Sequence, residues 1–293
     1  MLMQSSWARG SLLGLDFETS GVDVENDRIV SGALIEVAPG VEPVTHTWLI
    51  DPGVEISEAA TAVHGFSTKH VREHGQSPAG ALGEILEKLE RLWTSEVPLI
   101  TFNGSYDLSI MDREGLRHLG EGLPLGQRWM IDGLVIDREV DRYRKGGRKL
   151  ATVCQHYGVA LGADAHHADA DTLAAMRLAY KLAARYPGRV GNVALPDLHE
   201  RQRHWHEQWC TRMARWLEGQ AATLGGLWVD GRPAEVAARL AKLEITEEPS
   251  DELVGKVCAE TRQRAAQFAA SASQWPMHPR PAGLSTTLST GCG

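Results

Sequence analysis

Between Ser11 and about Pro187 the chain alternates short β-rich runs with amphipathic helical stretches, and beyond Pro187 the β signal largely disappears. That change of pattern constrains the fold more than any other feature. Residues 12–18, 28–37 and 44–50 read as strands ended by Gly, Pro or Asp, and their close succession predicts an antiparallel meander. A helix follows from Ser77, with Leu82, Ile85, Leu86, Leu89 and Trp93 near the 3.6-residue period. Pro98 marks the next start, after which residues 99–102 read as a strand, 107–119 as a helix and 129–136 as a strand. Residues 149–157 and 166–186 then read as helices, the second with Leu173, Met176 and Tyr180 on one apolar side. The order βββαβαβ followed by helix predicts a mixed α/β sheet layered with helices.

Past Pro187 the composition turns to Ala, Arg, Glu and Trp, which predicts a separate helical extension. Pro196-Asp197 with Glu200 three residues on suits a helix start. Leu198, Trp205, Trp209, Met213, Trp216 and Leu217 form one stripe, suited to docking on the α/β domain or on a partner. Pro233 and Pro249-Ser250 predict two more helices, over residues 234–243 and 251–270. Residues 276–293 are mostly Pro, Gly, Ser and Thr and predict a mobile tail. The expected organisation is an α/β domain over 10–187, a helical extension over 188–275 and that tail.

Composition narrows the function classes. With 293 residues, 43% hydrophobic and 23% charged, the chain can bury a sizeable core. Thirty Lys and Arg against 38 Asp and Glu give a net charge of −8, so a polyanion must be held by local positive charge or by metal. No apolar run is long enough to cross a bilayer, so no membrane partner is expected and a cytoplasmic location is. Cys154, Cys210, Cys258 and Cys292 lie far apart, which fits a reducing compartment.

The first concentrated chemical signal is Asp16-Phe17-Glu18-Thr19-Ser20-Gly21 at the end of the first strand. Side chains at i and i+2 of a strand share a face, so Asp16 and Glu18 project together while Phe17 turns inward. Two such carboxylates are either a hard-metal site or simply exposed acids at a strand end. Asp107 lies where a buried strand turns into a helix, as a cap, a dipole partner or a ligand. His166-His167-Ala168-Asp169-Ala170-Asp171 opens the last helix, where histidine beside acids is a ligand, a general base or a solvated start.

Taken in order, Asp-x-Glu on the first strand, Asp107 at the later strand-to-helix turn and His166 five residues before Asp171 resemble the DEDDh 3′–5′ exonucleases. These are the DnaQ-like proofreading enzymes of the ribonuclease H-like superfamily. Ala62-Val63-His64-Gly65-Phe66-Ser67 resembles the family's His-Gly-Ile-Thr region, and Ile131-Asp132 the strand before its third motif. The resemblance covers roughly residues 10–187. It implies a mixed five-stranded sheet, three antiparallel strands and then parallel ones, flanked by helices.

It also implies two Mg²⁺ or Mn²⁺ ions held by Asp16, Glu18, Asp107 and Asp171, with Asp16 bridging both. His166 would be the general base that deprotonates the attacking water. Thr19, Val22, His64, Gly65 and Tyr106 would seat the 3′ nucleotide, with Asn103 either touching substrate or fixing its turn. Tyr106 stands where the family often has Phe, and Val22 where Leu or Met is common. The expected reaction is removal of nucleoside 5′-monophosphates from single-stranded or frayed DNA, in proofreading or repair. The alternatives are the same chemistry on RNA, as in oligoribonuclease and RNase T, or a polymerase-associated scaffold with a vestigial site.

Two further stretches carry weaker expectations. Arg138, Arg142, Arg144, Lys145, Arg148 and Lys149 are offset only by Glu139 and Asp141. Arg144, Lys145, Arg148 and Lys149 are the candidate phosphate contacts, the alternative being a solvated basic loop. His199, His204, His206 and Cys210 suggest a zinc site only weakly, since three ligands on one helix are unusual. The helical extension is the expected seat of self-association or of contact with a DNA polymerase.

Overall fold

The computed structural model describes residues 6–123, 125–161 and 167–277. His166 and residues 278–293, the bulk of the expected tail, lie outside the described residues. Among the described residues five strands form one sheet, β1 (Leu12–Thr19), β2 (Ile29–Val37), β3 (Val44–Leu49), β4 (Leu99–Thr101) and β5 (Met130–Asp132). Their order is β3-β2-β1-β4-β5. β1, β2 and β3 pair antiparallel, and β4 and β5 continue the sheet parallel to β1. This is the mixed sheet the sequence predicts.

The helices are α1 (Glu58–His64), α2 (Thr68–His74), α3 (Pro78–Leu92), α4 (Gly104–His118), α5 (Gly133–Val140), α6 (Leu150–Tyr157) and α7 (Ala168–Arg185). α8 (Leu195–Val229), α9 (Pro233–Ala241) and α10 (Asp251–Ser271) follow. α7 packs across β1, β2 and β4, and Ala174, Leu178 and Leu182 join Ile35, Ile100 and Ile131 in the core. Close approach of α7 to the central strand depends on Gly14. A Cβ there would meet Thr172 Cγ2 at 2.6 Å and Met176 Sδ at 2.5 Å.

The strand expected over 129–136 is a correction. β5 stops at Asp132, whose side chain accepts the Leu134 amide at 2.9 Å and the Val135 amide at 3.2 Å. That cap starts α5 within what reads as a single apolar run. α1 and α2 lie in a segment where no helix was expected, each started by a serine, Ser57 accepting from the Ala60 amide and Ser67 from the His70 amide.

The described chain forms two compact units, one through Trp205 and the other His206–Trp275. In the first, Leu198 is fully buried and Trp205 packs against the same core as α7. Gln202, also buried, accepts the Asp132 amide at 2.7 Å and donates to the Met130 carbonyl at 2.9 Å. The second unit has its own core, where Ala221, Leu224 and Leu227 meet Val236, Leu240, Val254 and Val257. Within it the Trp209 ring stands edge-on to Phe268 at 5.1 Å, while Trp216 is exposed.

Candidate active site

In an open sheet the loops beyond the carboxyl ends of parallel strands are where functional groups gather. β1, β4 and β5 run parallel here, and the acidic residues collect at that end. Asp16 and Glu18 leave one face of β1 near its end, and Asp171 stands in the first turn of α7. One carboxylate oxygen from each of the three lies within 4.8 Å of the others. Asp107, buried in the first turn of α4, stands outside that triplet but bears on it electrostatically.

The charges oppose one another. Burial raises Asp16 well above the usual carboxylate range, and the charges of Asp107, Glu18 and Asp171 push the same way. Burial, then Asp171, pushes Glu18 up to about 8. Asp107 is raised by burial and by Asp132, against a hydrogen bond from the Phe17 backbone. Acids crowded in this way repel one another unless a cation lies between them. Their donors are all oxygen, which fits a hard divalent ion. Among the described residues this is where three or more metal-capable side chains converge.

Asp132 stands behind this cluster and holds the backbone that positions it. Its carboxylate accepts the Asn103 amide at 3.1 Å and the Gly104 amide at 2.9 Å, besides the two amides of α5. One buried side chain therefore ties the turn leading to Asp107 to the turn after β5. Asn103 itself sits in the left-handed region at φ 69° and makes no side-chain cap. Sequence reading treated Ile131-Asp132 only as a motif-like strand end and missed this role.

Several residues expected to bind the nucleotide lie beside the acids. The Tyr106 hydroxyl lies 2.9 Å from Thr19 Oγ1 and donates to the Gly21 carbonyl at 2.8 Å. Burial pushes that phenol up to about 12, so it stays protonated. Val22 is 91% exposed on the adjoining loop. His64 closes α1 and is buried, its Nδ1 accepting the Phe66 amide at 3.1 Å. Burial lowers its pKa, opposed by the Thr19 backbone, so the ring is neutral at pH 7. Gly65 follows at φ 81°, a left-handed helix end that favours glycine.

Two members of the basic stretch pair with an internal acid. Arg144 Nη2 donates to the fully buried Asp137 at 2.9 Å, and Arg148 Nη1 clasps the same carboxylate. Neighbouring Glu139 pairs with Arg189 at 2.9 Å, just past the C-terminal end of α7. Asp171 opens that helix, and fourteen residues at ~1.5 Å each separate the two ends by roughly 20 Å. Arg144 and Arg148 thus neutralise an internal acid, while Lys145 and Lys149 are exposed. The weaker zinc suggestion divides likewise. His199 Nδ1 accepts the Met130 amide at 3.2 Å, and His206 and Cys210 form a pair of their own at 3.2 Å.

A five-stranded sheet of this order, flanked by helices, is the ribonuclease H-like fold. The family is narrower: the exonuclease model RNase_T matches residues 13–179, more than half of the chain, and the chain belongs to that DnaQ-like exonuclease family. Among curated relatives, PolC-type DNA polymerase III of Streptococcus suis is 28% identical over 168 residues, 56% of this chain and 10% of that one. The corresponding enzyme of Lacticaseibacillus paracasei is 27% identical over 188 residues, 64% of this chain and 12% of that one. The chain therefore spans about a tenth of the length of these relatives. Among solved structures, the zinc-bound Escherichia coli exonuclease I complex with single-stranded DNA shares the fold at TM-score 0.52 and 18% identity, over 61% of this chain and 42% of that one. The same enzyme with a dT13 oligonucleotide matches at 0.51 and 16%, over 61% and 42%. No described helix is long and apolar enough to cross a membrane.

Proposed function

We propose that this nuclease is a DEDDh-type 3′–5′ exonuclease that releases nucleoside 5′-monophosphates from single-stranded or frayed DNA. The observation that carries the reading is the convergence of Asp16, Glu18 and Asp171 within 4.8 Å, with the charge of Asp107 bearing on Asp16. These four carboxylates would hold two Mg²⁺ or Mn²⁺ ions. Bound ions would supply activation of a water and stabilisation of the leaving 3′ oxygen. His166, outside the described residues, is the proposed base that takes the proton of that water.

The remaining roles belong to neutral surfaces. Val22 and Tyr106 offer apolar and aromatic faces to the last base, a contact that every base can satisfy. Neutral His64 and the backbone at Gly65 line the other side, and Thr19 fixes the corner between them. Asn103 acts on its turn, since its backbone is what Asp132 grips. DNA is preferred to RNA because the curated relatives are DNA polymerases and the exonuclease I structures hold DNA oligonucleotides. The PolC-type matches also support work alongside a DNA polymerase, with the helical unit His206–Trp275 as the contact or as a self-association surface. The domain limits 10–187 and 188–275 and a cytoplasmic location remain part of this proposal.

The test is digestion of 5′-labelled DNA and RNA of one sequence, with Mg²⁺, Mn²⁺ or EDTA, beside an Asp16→Ala, Asp171→Ala double variant. The reading expects a ladder shortening from the 3′ end of DNA that needs metal and vanishes in the variant. Faster shortening of RNA would move the substrate to the alternative, and an intact substrate with every metal would refute the reading.

A further inference from the structure

The connection between β1 and β2 is held more firmly than a surface loop requires. Val22 on it is 91% exposed, while the residues on either side are fastened in place. Within the loop, Asp27 accepts Ser20 Oγ and the Asp23 amide, both at 2.8 Å. At the near end Tyr106 grips the Gly21 carbonyl. At the far end the guanidinium of Arg113, only 1% exposed, takes both oxygens of Glu25, with Nε at 3.0 and 3.1 Å and Nη2 at 2.9 Å. Arg113 Nη1 donates to buried Asp112 at 2.9 Å, and Asp112 in turn accepts the Leu123 amide at 3.0 Å.

Tyr106 and Arg113 are seven residues apart on α4, so they share a face two turns apart, about 10 Å along the axis. The same helix carries Asp107. One rigid element therefore holds a metal-ligand candidate and both ends of the loop that presents Val22. Burying a guanidinium is costly, and an apolar side chain would pack α4 equally well. What the fork adds is direction, because a bidentate grip fixes both the place and the orientation of Glu25.

We infer that Arg113, acting through Glu25, is a positioning residue that holds Val22 in register with the carboxylates, so that the loop meets the terminal base already ordered. The inference rests on the proposed seat for that base. Glu25→Ala is the useful variant, since Arg113 keeps Asp112 and the core is untouched. It is compared with Val22→Ala and with the double variant, by steady-state kinetics on 5′-labelled single-stranded DNA and by calorimetric binding of thymidine 5′-monophosphate with Mn²⁺.

Glu25→Ala is expected to raise KM and the nucleotide Kd roughly tenfold, as for a loop that must be immobilised on binding, and to hold kcat within about twofold. Added to Val22→Ala it should raise neither further, because its effect passes through that side chain. Arg113→Lys, which keeps the charge and loses the fork, should repeat the KM rise. Wild-type KM in Glu25→Ala, an equal rise in the Val22→Ala background, or a fall in kcat alone would overturn the inference. If wild-type protein cleaves no nucleic acid, the functional reading fails instead, and nucleotide binding still decides the role of the loop.

Discussion

Replacing Glu18 by Gln should make the metal-free protein more stable, even though it damages the proposed site. Glu18 shifts from 4.5 to about 8 because it is buried beside Asp171. Between those two values the folded state binds more protons than the unfolded one, so stability falls as pH rises through that window. At ~1.4 kcal/mol per unit the loss reaches a ceiling of about 5 kcal/mol above pH 8. Glutamine removes the charge and keeps the shape, but its amide is still partly buried, which leaves a net gain of about 3 kcal/mol. At 2–4 °C per kcal/mol this is roughly 6–12 °C in Tm at pH 9, with EDTA present. At pH 5, where wild-type Glu18 is already protonated in the fold, the gain should be under about 1 kcal/mol. Thermal unfolding of both proteins at the two pH values reads this directly. A variant less stable than wild type at pH 9, or an equal gain at both values, would refute the idea that crowded acids strain the metal-free site.

Other consequences are open to simpler assays. Mn²⁺ binding at pH 7 should release protons, because Glu18 is held protonated there, so calorimetric heats should scale with the buffer's ionisation enthalpy and affinity should rise toward pH 8. A heat independent of buffer would contradict this. Gly14→Val should force Thr172 and Met176 off β1 and carry Asp171 with them, lowering metal affinity and kcat at least tenfold, and an unchanged metal Kd would count against the close-approach argument. Asp132→Ala leaves four amides without their acceptor and should lower stability by about 3–5 kcal/mol in denaturant titrations, whereas a loss under about 1 kcal/mol would deny it that role. Arg148→Ala should lower Tm without changing KM for DNA, since Arg148 serves buried Asp137, and the reverse pattern would restore the basic stretch as a phosphate contact.

Much of this was legible in the sequence because it depends on local pattern. Alternation and terminal Gly, Pro and Asp residues placed β1, β2 and β3 to within a residue or two, and the Asp-x-Glu spacing put two carboxylates on one face. α1 and α2 were too short to build an apolar stripe, although Ser57 and Ser67 were readable as caps. The β5–α5 boundary was hidden because a short apolar run has no period of its own, so only the capping geometry of Asp132 reveals it. The roles of Asp132 and Arg113 depend on partners 28 to 88 residues away, which no local window contains. Within the basic stretch, Arg144 and Arg148 turn inward to Asp137, a pairing that charge counting along the sequence does not show.

On the proposed function, Asp16, Glu18, Asp107 and Asp171 should hold two divalent ions beside the seat of a 3′ nucleotide. Crystals grown with Mn²⁺ and thymidine 5′-monophosphate, measured at the manganese absorption edge, test it most directly. Two anomalous peaks are expected among the four carboxylates, with the nucleotide phosphate against them and its base beside Val22 and Tyr106. Manganese bound elsewhere, or a nucleotide seated away from these residues, would contradict it.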